Sequence, residues 1–298
     1  MAGAEVVVMG QVARDLVLVV DEMPGTGESA PVRERREMLG GKGANQAVGL
    51  AQLGARVALL GAVGDDAAGA GLIGQAAADG IDTAPVVRRA GTGSALIVDI
   101  VDRSARWRYL EDVPDATLVT EGDVEAARAG LERARFVLLQ LQQPPGAVLR
   151  AARLARDAGA GIVLDGVPQA DDADSAELLA AADVLRADSR EAGLLAGAPV
   201  DTPETASRLG RDLLRRGPSL VALAVADAGN MFIWPDGELF LPLEDVPVAD
   251  TTGAGDALVA ALTAALLHGA SPPDAARHAV AAAGATAAHP GGRPALRS

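Results

Sequence analysis

FVLLQLQQPPGAVLRAARLARDAGAGIVLD, running from Phe136 to Asp165, decides the architecture. An apolar run at Phe136–Gln140 is followed by a helical period over Gly146–Asp157 and a second apolar run at Gly161–Asp165. Two continuous apolar strands joined through one helix describe a strand–helix–strand unit, with parallel strands buried on both faces. The same rhythm extends outward. Towards the N-terminus, strands are expected at Glu5–Met9 and Val57–Val63, with helices at Ala44–Leu53, Ala67–Asp79 and Asp123–Glu132. Towards the C-terminus, strands fall at Asp183–Arg186 and Leu220–Val225, and helices at Ser175–Ala182 and Pro203–Arg216. From about Gly255 the pattern is helical, Gly255–His268 and then Asp274–Ala288. The expected class is α/β, a parallel sheet covered by helices. Two regions break the rhythm. Val12–Val20 with Val32–Glu37, and Ser94–Val101 with Arg106–Leu110, alternate like strands with one wet face and could pair as a small separate sheet.

Composition narrows the function. The 298 residues carry 26 Lys and Arg against 40 Asp and Glu, a net charge of −14. Such a balance argues against a general nucleic-acid binder, which needs clustered positive charge to displace counterions. With no cysteine, disulfides, thiol nucleophiles and Cys-ligated zinc are excluded. Only six aromatic rings occur, Trp107, Tyr109, Phe136, Phe232, Trp234 and Phe240, so the core is expected to be Ala, Val and Leu. MAGAEVVVMG lacks a basic region and reads as a buried strand, not a signal peptide. No apolar stretch reaches the roughly 20 residues of a membrane helix. A cytoplasmic protein with no membrane partner is expected.

Most catalytic motifs fail in context. Gly69, Gly71 and Gly74 match G-x-G-x-x-G, but lie well past the strand ending at Val63, behind Asp65 and Asp66, which would repel a pyrophosphate. A Walker loop and a G-x-S-x-G elbow are absent. His268, His278 and His289 have no metal-ligand spacing. Two glycine clusters remain. Gly40-Gly41-Lys42-Gly43-Ala44-Asn45-Gln46-Ala47 opens a helix, and bare backbone with an ammonium and an amide suits a ligand rich in hydroxyls. Asp250-Thr251-Thr252-Gly253-Ala254-Gly255-Asp256 precedes the helix through His268. A glycine-rich turn at a helix N-terminus gathers unpaired N–H groups and binds anions. Asp256 reads either as a carboxylate satisfying the helix dipole or as a proton acceptor beside an anion hole, the arrangement phosphoryl transfer requires.

Together these clusters resemble the signatures of the ribokinase family, the PfkB-type carbohydrate kinases, G-G-K-G-A-N-Q-A and D-T-T-G-A-G-D. Supporting segments are Gly10–Asp15, Pro24–Glu28 and Gly61–Asp66. The resemblance implies one doubly wound α/β kinase domain over residues 1–298, with a β-sheet lid from about 12–37 and 94–111. It also implies roles by position. Asp256 would activate the sugar hydroxyl, and Gly253, Ala254 and Gly255 would form the anion hole. Asp15, Gly41, Lys42, Asn45 and Gln142 would hold the sugar. Asp188, Val225, Ala226, Asp227, Gly229, Val280 and Ala283 would line the nucleotide site. Glu191 would serve Mg²⁺, while Asp250, Thr252 and Gly291 would form a monovalent-cation site for activating K⁺.

Four departures from the family pattern stand out. Asp188-Ser189-Arg190-Glu191 replaces N-x-x-E, placing a negative charge near the triphosphate that a metal or Arg190 would have to offset. Gln142 replaces a glutamate and can still accept through its carbonyl. Ala226 stands where the nucleotide loop has glycine. Glu111–Pro114 lacks the small residues of the family's lid. The implied reaction is ATP-dependent phosphorylation of the primary hydroxyl of a pentose, ribose first. The alternatives are a kinase for another sugar or a nucleoside, and a catalytically weak sugar-binding protein. With few rings available, the sugar site is expected to work by hydrogen bonds and not stacking. A homodimer paired through the lid edge is also expected.

Overall fold

The computed structural model describes residues 3–104, 106–168, 173–243, 251–288 and 292–296. In chain order the first half comprises β1 (Val6–Met9), β2 (Ala13–Val20), β3 (Val32–Gly40), α1 (Lys42–Gln52), β4 (Val57–Gly64), α2 (Ala67–Ala78), β5 (Val86–Arg89), β6 (Ala95–Val101), β7 (Trp107–Asp112), α3 (Glu121–Leu131), β8 (Phe136–Gln140) and α4 (Pro145–Asp157). The second half comprises β9 (Gly161–Asp165), α5 (Ala173–Ala181), β10 (Val184–Ala187), α6 (Ser189–Ala196), α7 (Pro203–Leu214), β11 (Leu220–Val225), β12 (Gly229–Trp234), β13 (Gly237–Pro242), α8 (Ala254–Leu267) and α9 (Pro272–Ala287).

Among the described residues a nine-stranded sheet runs β13-β12-β11-β10-β9-β8-β1-β4-β5. Seven of its strands are parallel, and β12 and β13 add an antiparallel edge. The central strands β1, β4 and β8 to β11 are buried on both faces, and alternate residues serve opposite layers. Val7, Met9, Val137, Leu139, Ile162 and Leu164 point to the core under α4. Val6, Val8, Leu138 and Val163 point to the core under α1 and α8. Alanines such as Ala260, Ala264, Ala276 and Ala279 are buried between the sheet and α8–α9, so these helices approach closely without large side chains. Phe232 is the one aromatic among the largest fully buried side chains, as the composition led us to expect.

After β1 the chain builds β4 and β5 on one side, then crosses back to lay β8 on the other. A crevice forms where the strand order reverses, outside the carboxyl ends of β1 and β8. Gln11 and Gln142 emerge at those ends and line a cavity there.

The two wet-faced regions form a separate four-stranded sheet, β3-β2-β6-β7, with β2 and β6 parallel and both outer pairs antiparallel. Asp15 of β2 is opposite Ile97 of β6, and Ile97 is opposite Glu111 of β7. That row faces the large sheet's crevice.

Some elements were not legible. The β12–β13 hairpin turns at Pro235–Asp236; the signal was Asp236-Gly237 between two apolar runs. Helix α6 was announced by Asp188-x-x-Glu191, a reciprocal cap at its N-terminus. Gly69, Gly71 and Gly74 all lie inside α2, whose N-cap Asp66 accepts from the Gly69 N–H at 2.7 Å and ties in Ser94. The motif is helix interior, not a phosphate loop. Among the described residues no helix is long and apolar enough to cross a membrane.

Candidate active site

Both glycine clusters become helix N-termini that no side chain caps. Gly41 (φ 83°) precedes α1, and Gly253 (φ 71°) precedes α8. Glycine is required at 253 twice over: the backbone is left-handed, and a Cβ would fall 1.7 Å from the Gly292 carbonyl oxygen. Of the first-turn N–H groups of α8, that of Ala254 turns back to the Thr251 carbonyl at 3.3 Å, and those of Gly255 and Asp256 have no acceptor among the described residues. The two N-termini meet at a cavity of about 360 Å³ lined by Asp15, Gly41, Lys42, Asn45, Gln142, Asp188, Thr252, Gly253, Gly255 and Asp256. Sequence positions 15 to 256 converge there because α1 and α8 pack side by side against the sheet.

Asp256 lies in the first turn of α8 and is only 6% exposed. Asn45 Nδ2 donates to its Oδ2 at 3.2 Å, and Gln46 Nε2 to its Oδ1 at 3.1 Å. The same Gln46 amide donates to Asp165 Oδ2 at 2.7 Å. Burial first, then repulsion from Asp165, pushes the Asp256 carboxyl up to about 7; Lys42, the Asn45 hydrogen bond and Arg186 oppose the rise. Asp15 is also buried and is pushed up to about 7, by burial and then by Asp256 and Asp99, against a backbone hydrogen bond from Gly41. Burial works against the Lys42 ammonium, but Asp165, Glu191 and Asp256 outweigh it and raise its pKa. Lys42 Nζ stands 3.5 Å from Glu191 Oε1. The result is a site of closely set, mutually perturbed groups, the pattern of an acid–base centre.

Several expected positions gain detail. Gln142 Oε1 accepts from Gln140 Nε2 at 2.9 Å, which leaves one lone pair of the carbonyl and the amide N–H groups for a ligand. Arg190 is exposed, and the buried cation whose charge couples to Asp188 is Arg186. Asp188 is itself occupied, its Oδ1 accepting from the Glu191 N–H at 2.8 Å as the cap of α6, while Glu191 Oε2 accepts from the Asp188 N–H at 2.8 Å. Trp107 and Tyr109, tilted 35° to one another with ring centroids 4.5 Å apart, line the cavity, so the small sheet brings two rings to its wall. The Tyr109 hydroxyl hydrogen-bonds the Thr252 hydroxyl, joining the small sheet to the loop before α8.

Val225 ends β11, Ala226 and Asp227 lie in the turn after it and Gly229 opens β12, while Val280 and Ala283 lie on α9; none of them lines this cavity. Val280 packs into the core and Ala283 against it. Ala226 is the one described non-glycine residue with positive φ, 39°, at the position where the resemblance led us to expect glycine. Ala254 opens α8. Asp250, Gly291 and His289 lie outside the described residues. His268 ends α8 with Nδ1 against the Ala264 carbonyl at 2.7 Å, and His278 is exposed. Sequence reasoning missed Gln46, Asp165 and Arg186 as site residues. Asp165 and Arg186 sit at strand ends beside the switch point, and strand-end polar residues within apolar runs were the available signal.

A model of the pfkB family of carbohydrate kinases matches residues 4–298. The chain belongs to that family. It is 33% identical over 264 residues to ribokinase of Mus musculus, covering 87% of this chain and 80% of that protein. It is 32% identical over 286 residues to the ATP-dependent ribose-1-phosphate kinase of Halopiger xanaduensis, covering 96% and 93%. Among solved structures, Arabidopsis thaliana ribokinase complexed with ribose and ATP is similar with a TM-score of 0.78 at 25% identity, covering 97% of this chain and 94% of that one. This carbohydrate kinase is a phosphotransferase of ribokinase-like α/β fold.

Proposed function

We propose that this sugar kinase transfers the terminal phosphoryl group of ATP to the primary hydroxyl of a neutral pentose, with ribose the leading candidate. The observation that carries the reading is Asp256: a buried carboxyl poised near pH 7, set directly beside the uncapped first turn of α8. Ionised, it accepts the hydroxyl proton as the new O–P bond forms; the backbone N–H groups around Gly253, Ala254 and Gly255 hold the charge on the phosphoryl oxygens. Asp15, Asn45 and the amide of Gln142, which line the same cavity, would hold the remaining hydroxyls. Four carboxylates (Asp15, Glu111, Asp188, Asp256) line the cavity against two cations, Lys42 and Arg186. That balance favours a neutral acceptor over a phosphorylated one.

The nucleotide is assigned to the Val225–Gly229 turn and the Val280–Ala283 face of α9, leading towards Asp188. Mg²⁺ usually takes one or two carboxylates together with substrate phosphates. Glu191 and Asp188 suit that arrangement, and among the described residues no group of three acidic or histidine side chains would hold a metal alone. Bound there, Mg²⁺ would neutralise charge on the phosphates. Thr252 is the described member of the K⁺ site. The small sheet acts as a lid, because phosphoryl transfer must exclude water, and the Tyr109–Thr252 contact suits a closed position. A homodimer paired through the lid and a cytoplasmic location complete the reading.

A second reading draws on Trp107 and Tyr109: a tilted ring pair on the cavity wall is also suited to the base of a nucleoside. One coupled assay decides between them. With ATP and Mg²⁺, ADP release is measured on ribose, deoxyribose, other pentoses and hexoses, ribose 1-phosphate and nucleosides. Highest kcat/KM on a free pentose supports the first reading; highest on a nucleoside selects the second, and highest on ribose 1-phosphate defeats the neutral-acceptor argument.

A further inference from the structure

Arg186 is the one cationic side chain of the cavity that the motifs do not account for. It stands at the carboxyl end of β10, only 8% exposed. Its NH1 donates to Asp165 Oδ1 at 3.0 Å and lies 4.0 Å from Glu191 Oε2. Burial disfavours its charge, but Asp165 and Glu191 outweigh that and raise its pKa, with Asp188 adding to the effect. A guanidinium has five donors in a rigid fork, and no described residue accepts from NH2. That edge is packed under the first turn of α8: a Cβ at Gly255 would fall 2.4 Å from NH2 and 3.1 Å from Cζ. A strand-to-strand staple needs only the NH1–Asp165 bond. It does not account for a guanidinium edge that lines the cavity beside Gly255 and Asp256.

We propose that Arg186 is an arginine finger supplied in cis, its NH2 edge donating to a non-bridging oxygen of the phosphoryl group in flight. The inference rests on the kinase reading above. In the step, the sugar oxygen bonds to the γ-phosphorus, and the bond from that phosphorus to the β–γ bridging oxygen breaks. The electron pair leaves with ADP, and the hydroxyl proton passes to Asp256. Arg186 exchanges no proton; it stabilises the charge spread over the equatorial oxygens. It also offsets Asp188, which in this chain adds a negative charge where the family pattern has an amide. Asp165 holds the guanidinium in the plane that aims NH2 at the anion hole.

Removing Arg186 alone would leave Asp165 buried without its cation, so the test uses the double variant R186M/D165N. Three readouts are taken: melting temperature; kcat and sugar KM; and affinity for ADP alone against ADP with aluminium fluoride in the presence of sugar. The expected result is a near-unchanged melting temperature and sugar KM, a kcat lower by about 100-fold or more, and ADP affinity within about three-fold. The added affinity that aluminium fluoride confers on the wild type should be largely lost. A kcat within three-fold of wild type, or an equal loss of affinity for ADP with and without fluoride, overturns the proposal and leaves a strand staple. If the double variant does not fold, R186K carries the test. It keeps the charge opposite Asp165 and should lose at least ten-fold in kcat at unchanged melting temperature, and full activity would overturn the inference. A wild type that releases no ADP with any acceptor overturns both this inference and the kinase reading, whereas active wild type with active variants overturns this one alone.

Discussion

Helices α1 and α8 begin alike and end up doing different work. Each opens on a left-handed glycine, Gly41 or Gly253, with no side-chain cap, whereas α2, α3, α6 and α7 are capped by Asp66, Thr120, Asp188 and Thr202. One first-turn N–H of α1 and one of α8 turn to a backbone carbonyl, Ala44 to Gln11 at 3.1 Å and Ala254 to Thr251 at 3.3 Å, and the side-chain cap that would occupy the others is lacking. The contrast lies in the residues of the first turn. That of α1 holds Lys42 and no acid; that of α8 holds Asp256 and closes over Arg186. On α1 the close approach is backbone on backbone, since a Cβ at Gly43 would meet Gly10 at 2.5 Å. On α8 it is backbone against a charged side chain. The first kind of contact builds the crevice, and the second builds the chemistry inside it.

The largest effect that would break this division is expected from Asp256→Asn. Loss of the proton acceptor should lower kcat by about 1,000-fold, while sugar affinity by calorimetry stays within a few-fold; an active D256N would remove Asp256 from the proton transfer. Next comes a matched pair. Gly255→Ala should push aside the NH2 edge of Arg186 while NH1 keeps Asp165, and cost about 100-fold in kcat with little change in melting temperature. Gly43→Ala should instead lower the melting temperature by several degrees, because two backbones must separate. If both lower stability equally, the two helix starts do not differ as described.

The pH dependence sharpens the comparison further. A base poised near 7 is half protonated there, so kcat/KM should fall roughly ten-fold per pH unit below about 7, read from a rate profile. Stability should move the other way. The folded-state values of Asp15 and Asp256 are raised, so their contribution is fully present below the ordinary carboxylate range and is lost as pH rises through about 7. The ligand-free protein should therefore melt lower at pH 8 than at pH 6, and D256N should shrink that difference. The smallest effect is expected from Ala226→Gly. At φ 39° an alanine costs about 1 kcal/mol, so glycine should raise the melting temperature by about 2–3 °C.

Much of the molecule was legible because its signals are local. The strand–helix–strand rhythm around Phe136–Asp165, the alternation of Ala13–Val20 and the glycine clusters each sit within a short window. The β12–β13 hairpin was missed although Asp236-Gly237 marked it, since its strands alternate less cleanly. Arg186 and Asp165 read as the polar ends of buried strands, and nothing in their own neighbourhoods says they meet. Trp107 and Tyr109 read as scarce rings on a wet strand; only the register of β6 with β7 and the placement of the small sheet turn them to the cavity.

By itself, the sequence determined the class of fold, the two helix starts that hold the site, and the carboxylate at Asp256, because periodicity and glycine-rich turns are properties of neighbouring residues. The tertiary structure alone decided which charges face one another across distant strands. Asp256 gains its raised pKa from burial and from Asp165, 91 positions away in the chain (256 − 165). Arg186 reaches the first turn of α8 at Gly255 only because β10 ends beneath that helix. Electrostatics depends on distance through space and on exclusion of water, and neither is written in the order of the residues.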